Sequence, residues 1–156
     1  LSSIRDENLP PQDLDAERSV LCLEMLDPSG YLISVVRNIA PAEDWYSDVN
    51  ATIQRAIVDL FDREIGVDVM TVKHELERRG QLEEVGGMVE LSHIMQTCYQ
   101  GPHGPFHAQK IADCANRRRI RILADELRKM SSDPTSDQST LIESALKDVS
   151  KMAAKL

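Results

Sequence analysis

At 156 residues, with 42% hydrophobic and 28% charged side chains, the chain has the composition of a soluble globular protein with room for one core and an appendage. No apolar run is long enough to span a bilayer, and no charged-then-apolar signal peptide opens the chain, so neither a spanning helix nor a secretory leader is expected in it. The net charge of −8 argues against bulk affinity for nucleic acid, and three cysteines, odd in number and without paired spacing, read as reduced thiols of an intracellular protein.

Residues 1–12 are polar, end in Pro10-Pro11 and read as a flexible tail. Asp13 or Asp15 can cap a first helix running to about Leu26, with Ala16, Val20, Leu21 and Leu23 inward. Asp27 to Gly30 is a turn, and a second helix is expected from Tyr31 to Ile39. After Pro41, Trp45 and Tyr46 are expected to be buried anchors. Val49, Ile53, Ala56, Ile57, Leu60 and Phe61 follow a 3.6-residue period and predict the clearest helix of the chain. Asp68 or Thr71 opens the next, with Val72 and Leu76 inward and Gly80 as its left-handed C-terminal residue. After Gly86-Gly87, Met88, Leu91, Ile94, Met95 and Cys98 share one face. The stretch from Gly101 to Pro105 is expected to break the chain. A long helix then runs from Phe106 to Met130, and a last one begins at a capping box of Thr140 and Glu143. Its stripe is Ile142, Ala145, Leu146, Val149, Met152 and Ala153. No segment alternates with period two, so the expected fold is all-α. A compact helical head over residues 13–100 is followed by an extended antiparallel helical hairpin over 101–156. One hairpin cannot cover both of its apolar stripes, which predicts a partner or a second copy.

The charge is uneven. Residues 1–102 carry 8 basic and 19 acidic side chains, residues 103–130 carry 7 and 3, and residues 131–156 carry 3 and 4. The basic segment contains Arg117 to Arg121. Arg117, Arg121 and Arg128 form one helical stripe, Asp125 is placed to pair with Arg121, and Arg118 and Arg119 flank the apolar face. These three arginines are the candidate contacts to an acidic partner or, weakly, to DNA.

No phosphate loop of the form GxxxxGK[ST] occurs. The pair Gly86-Gly87 follows no predicted strand and has Glu83 and Glu84 beside it. It is read as a junction that lets two helices pack closely, at which Gly87→Val would overpack. Cys98, His103, His107 and Cys114 have no familiar zinc spacing and are read as two buried thiols and two loop or helix-start histidines. His93 is read as a packed surface histidine. Glu75, Glu77, Asp59 and Asp62 are read as solvated helix faces, and no catalytic constellation emerges.

The order of the pieces LPPQDLDAERSVL (Leu9 to Leu21), LDPSG (Leu26 to Gly30), EDWY (Glu43 to Tyr46), VDVMTVKHELERRGQLEEVGGMVEL (Val67 to Leu91) and RRRIRILADEL (Arg117 to Leu127) resembles the N-terminal domain of bacterial replicative DNA helicases of the DnaB family. The resemblance covers nearly the whole chain from Leu9. It departs from the family at Cys22, where glycine is usual, at Asn50-Ala51, where a histidine is common, and in GPHGPFHAQ before the long helix. It implies a non-catalytic domain with no cofactor of its own, the ATP and Mg²⁺ belonging to a motor domain expected beyond Leu156 in the parent protein. It also implies a cytoplasmic protein whose hairpins pair into dimers, and these into a trimer of dimers within a hexamer. The implied partners are primase and a helicase loader, with DNA bound weakly at most and no membrane. The residues taken for the oligomer interface are Ile142, Leu146, Val149 and Met152 of the last helix with Leu123 and Leu127 of the preceding one. The competing readings are a stand-alone helical adaptor or helicase-modulating protein, and a weak nucleic-acid-binding domain.

Overall fold

A computed structural model describes residues 9–98, 103–135 and 137–154. All regular structure among these residues is helical: α1 (Leu14–Leu26), α2 (Tyr31–Ile39), a 3₁₀ turn (Ala42–Asp44), α3 (Asp48–Asp62), α4 (Val69–Arg78), α5 (Gly87–Gln96), α6 (Gly104–Ser131) and α7 (Gln138–Ala153). Two compact units result. One is Gln12–Ala115, the head; the other is Asn116–Leu156 together with the N-terminal segment through Pro11. Residues 1–8 of the expected tail and residues 101–102 of the expected chain break lie outside the described residues.

Capping side chains set the starts of α1, α3 and α4. The Asp13 carboxylate accepts from Ala16 N at 2.9 Å and caps α1. Ser47 caps α3 through Asn50 N at 3.2 Å. At α4 both expected cap residues act together: Asp68 Oδ1 accepts from Thr71 N at 2.8 Å, and Thr71 Oγ1 accepts from Asp68 N at 2.9 Å, a reciprocal box. Gly80, φ +68°, ends α4 as expected. Two helices start earlier than the sequence suggested. α6 begins at Gly104 because Pro105 is tolerated in a first turn that needs no N–H, and α7 begins after Asp137.

α3 is the centre of the head. It packs against α1, α2 and α4, and α5 closes against α1 and α4. The core contains Val20, Leu21, Ile33, Val36, Ile53, Ile57, Leu76, Leu91 and Ile94, all fully buried. The inward face of α1 differs from the expected one. Leu23 is only half-buried, while Glu17, Cys22, Glu24 and Met25 lie inside. The reason is that two buried carboxylates on α1 find specific partners. Glu17 accepts from Tyr46 N at 2.6 Å, Ser47 N at 3.3 Å and Asn50 Nδ2 at 2.9 Å, and so fixes the turn that leads into α3. Trp45 is locked there by its indole N–H, which donates to Ala40 O at 2.9 Å; Tyr46 is half-buried. Glu24 accepts from Gln54 Nε2 at 3.0 Å.

The first half of α6 also belongs to the head. Ala108, Ile111 and Ala112 are buried in its core, so the unit ends inside a helix at Ala115 and takes in residues beyond 100. A Cβ added to Gly104 would collide with the Leu32 side chain, which shows how closely the start of α6 lies against α2.

The reading of Gly86-Gly87 as a close helix junction is overturned. A Cβ on Gly87 would meet nothing within 4 Å. Both residues have left-handed backbone instead, φ +94° at Gly86 and +67° at Gly87, which disfavours any side chain. Glu75 is likewise no solvated residue. It is 4% exposed and accepts from Arg63 Nη2 at 2.6 Å, Arg78 Nη2 at 2.7 Å and Arg79 Nε at 2.8 Å. Its hydrogen bonds from Arg78, then Arg79 and Arg63, hold its carboxyl well below the usual range against the opposing effect of desolvation. Arg79 reaches on to Asp59, tying α4 to α3.

The cysteines differ most from expectation. Cys22 on α1 and Cys98 just after α5 are joined as a disulfide, with Cα atoms 5.8 Å apart and a sequence separation of 76. No spacing rule reaches that far; the packing of α5 on α1 brings them together. Cys114 is free.

Candidate assembly and docking surface

In the second unit α7 runs back along α6. Arg119, Ile122, Leu123 and Glu126 of α6 face Asp148, Lys151 and Met152 of α7 across a cleft of about 340 Å³. The connection after α6 opens with a turn closed by Ser132 N and Asp133 N, which donate to Lys129 O and Met130 O.

Of the six side chains singled out for assembly, Leu123, Leu127 and Met152 are half-buried. Ile142, Leu146 and Val149 are 61%, 61% and 51% exposed. Ile120 and Ile122 on α6 are exposed too. α7 has no buried residue over its 16 positions. An amphipathic helix draws its stability from burying its apolar face, and α7 does not bury its own.

The arginine stripe is distributed differently from the expectation. Asp125 pairs with Arg128 at 2.8 Å and not with Arg121. One turn of helix separates 125 from 128, and Arg121 has a better acceptor: its Nη1 donates to Leu9 O at 2.9 Å. Arg118 Nη1 donates to Pro11 O at 2.6 Å, so two guanidiniums hold the Leu9–Pro11 segment along α6. Arg119 donates to Asn116 Oδ1 at 2.8 Å. Arg117 remains exposed. Backbone carbonyls of a distant segment leave no pattern in the sequence, which is why this strap was not foreseen.

Cys98, His103, His107 and Cys114 do not come together as a ligand set. Among the described residues no three His, Cys, Asp or Glu side chains could hold a metal ion, and Cys98 is bonded to Cys22. His93 is exposed, its Nδ1 3.8 Å from Glu90 Oε2. No helix among the described residues is long and apolar enough to cross a membrane.

These features define an all-α module made of a helical head and a helical hairpin with an uncovered apolar face. Residues 9–113 match the family model of the DnaB-like helicase N-terminal domain. The chain is 30% identical over 145 residues to the replicative DNA helicase DnaB of Rhodothermus marinus, covering 93% of this chain and 15% of that protein. It is 32% identical over 120 residues to replicative DNA helicase DnaB of Geobacillus stearothermophilus, covering 77% of this chain and 26% of that protein. The crystal structure of the N-terminal domain of DnaB helicase from Mycobacterium tuberculosis superposes with a TM-score of 0.81 at 28% identity, covering 92% of this chain and 99% of that one. The chain therefore belongs to the DnaB-like helicase N-terminal domain family. It spans only 15% and 26% of the length of these two helicases.

Proposed function

We propose that this chain is the oligomerisation and partner-docking domain of a replicative DNA helicase that works in the cytoplasm during DNA replication. The observation that carries the reading is the uncovered apolar face of the hairpin: no residue of α7 is fully buried, and Ile120, Ile122, Ile142, Leu146 and Val149 stand more than half exposed. A second hairpin supplies the missing surface, and an isologous pair is the simplest closed arrangement. Three such pairs would complete a hexameric collar, on which primase and a helicase loader dock. ATP and Mg²⁺ would act only in the motor domain of the parent helicase.

Direct binding of nucleic acid is the weaker alternative. Arg121 and Arg128 are engaged with Leu9 O and Asp125, and the acidic balance of residues 1–102 opposes phosphate.

Light scattering after size-exclusion chromatography tests the proposal. The wild-type chain should elute as dimers or higher assemblies. Leu146→Asp, which sets a charge in the centre of the contact, should give monomers with unchanged Trp45 fluorescence, the head being untouched. A wild-type chain that stays monomeric at high micromolar concentration overturns the reading.

A further inference from the structure

The Cys22–Cys98 pair has an asymmetry that the assembly function does not use. Cys22 is completely buried between α1 and α5, its Sγ 3.6 Å from Met95 O. Cys98 is half-buried at the end of α5. It lines an open cleft of about 720 Å³ with Arg18, Ser19, His93, Gln96 and His107, a volume within the range of sites that take small molecules. The Cα separation of 5.8 Å lies inside the window a disulfide needs, so the bond can form without moving the backbone. In the dithiol form the Cys22 S–H can donate to Met95 O, so the buried sulfur is accommodated in both states.

We propose that Cys22 and Cys98 are a thiol–disulfide exchange pair, in which Cys98 is the entry thiol and Cys22 the resolving thiol, and that oxidation by a low-molecular-weight disulfide locks α1 to the end of α5. The Cys98 thiolate, having lost its proton to solvent, attacks one sulfur of glutathione disulfide. A Cys98–glutathione bond forms, the reagent's S–S bond breaks, and one glutathione thiolate leaves. The Cys22 thiolate then attacks the Cys98 sulfur, forms the protein disulfide and expels the second glutathione. The protein loses two protons and two electrons, and one glutathione disulfide becomes two glutathiones. Reduction runs the same path backwards, with an external thiol attacking at Cys98, because Cys22 cannot be reached. In a reducing compartment, disulfides of this kind are transient and sensing. The loop that this one closes is long enough to stiffen the head substantially.

The test uses the full chain with Cys114→Ser, so that only the pair remains. Reduced protein is mixed with glutathione disulfide, quenched at intervals with acid and an alkylating agent, and weighed intact and as peptides. The expected course is a transient glutathione adduct that maps to Cys98, followed by a product lighter by two hydrogens with no alkylatable thiol. Adding Cys22→Ala should leave the Cys98 adduct permanent. Adding Cys98→Ala should make Cys22 react at least about tenfold more slowly, at the rate at which the head opens. Melting followed by Trp45 fluorescence should place the oxidised form roughly 10–20 °C above the reduced one. Retention of both alkylatable thiols after prolonged exposure, first adducts on Cys22, or equal melting points of the two forms would each overturn the proposal. The mapping on the Cys114→Ser chain stands by itself if a further variant fails to fold.

Discussion

Glu24 makes the stability of the head depend on pH in a direction opposite to that of most carboxylates. Its side chain is fully buried, and Gln54 Nε2 donates to its Oε1. The second carboxyl oxygen and Gln54 Oε1 are both buried without a partner. A proton on Glu24 Oε2 would donate to Gln54 Oε1 and complete a two-bond acid–amide ring, satisfying both atoms. Burial pushes the Glu24 carboxyl up to about 8 from 4.5, opposed by the hydrogen bond from Gln54. The folded state thus holds a proton that the unfolded chain gives up near 4.5. The Glu24 contribution is greatest below that value, falls as pH rises from about 4.5 towards 8, and is level above 8. At about 1.4 kcal/mol for each factor of ten in proton affinity, the whole displacement corresponds to roughly 5 kcal/mol.

Glu24→Gln keeps the shape and both hydrogen bonds and removes the titration. The variant should lie within about 1 kcal/mol of wild type near pH 4.5 and gain on it by roughly 1.4 kcal/mol per pH unit up to pH 8. Urea unfolding at several pH values, read from the single buried Trp45, measures the difference directly, because the other titrating groups are common to both proteins. If the difference between variant and wild type does not change between pH 5 and 8, Glu24 is not a proton held by burial and the reasoning fails.

Two further changes separate competing accounts of named residues. Because Gly87 has open space and left-handed backbone, Gly87→Ala should already cost roughly 1–2 kcal/mol and Gly87→Asn clearly less; a harmless Ala with a damaging Val in the same urea melts would restore the crowded-junction account. Glu75→Gln leaves Arg63, Arg78 and Arg79 without their common carboxylate and should cost roughly 2–3 kcal/mol at pH 7, the exposure of Arg63 and Arg78 limiting the loss. The Glu75 contribution is present above the normal carboxylate range and is lost progressively as pH falls from that range towards the depressed native value, so the gap between wild type and Glu75→Gln should narrow, without closing, by pH 3 in thermal melts.

What the amino-acid sequence determined by itself was the set of helices. The cap at Asp13, the reciprocal pair Asp68–Thr71, the left-handed Gly80 and the 3.6-residue stripes of α3 and α7 are interactions within a few residues, and such interactions are written in local order. The exposed stripe of α7 was legible for the same reason, since its periodicity is the same whether a partner covers it or not. Tertiary structure alone decided the rest. Glu17 and Glu24 look like ordinary solvated acids until α3 and the turn before it supply Asn50, Gln54 and two backbone N–H groups. The first half of α6 joins the head through Ala108 and Ala112, side chains too small to mark a face. Arg118 and Arg121 hold carbonyls more than a hundred positions away, and Cys22 meets Cys98 across four intervening helices. Each of these depends on which surfaces meet once the chain has closed long loops, and a change of partner at such distances costs local sequence pattern nothing.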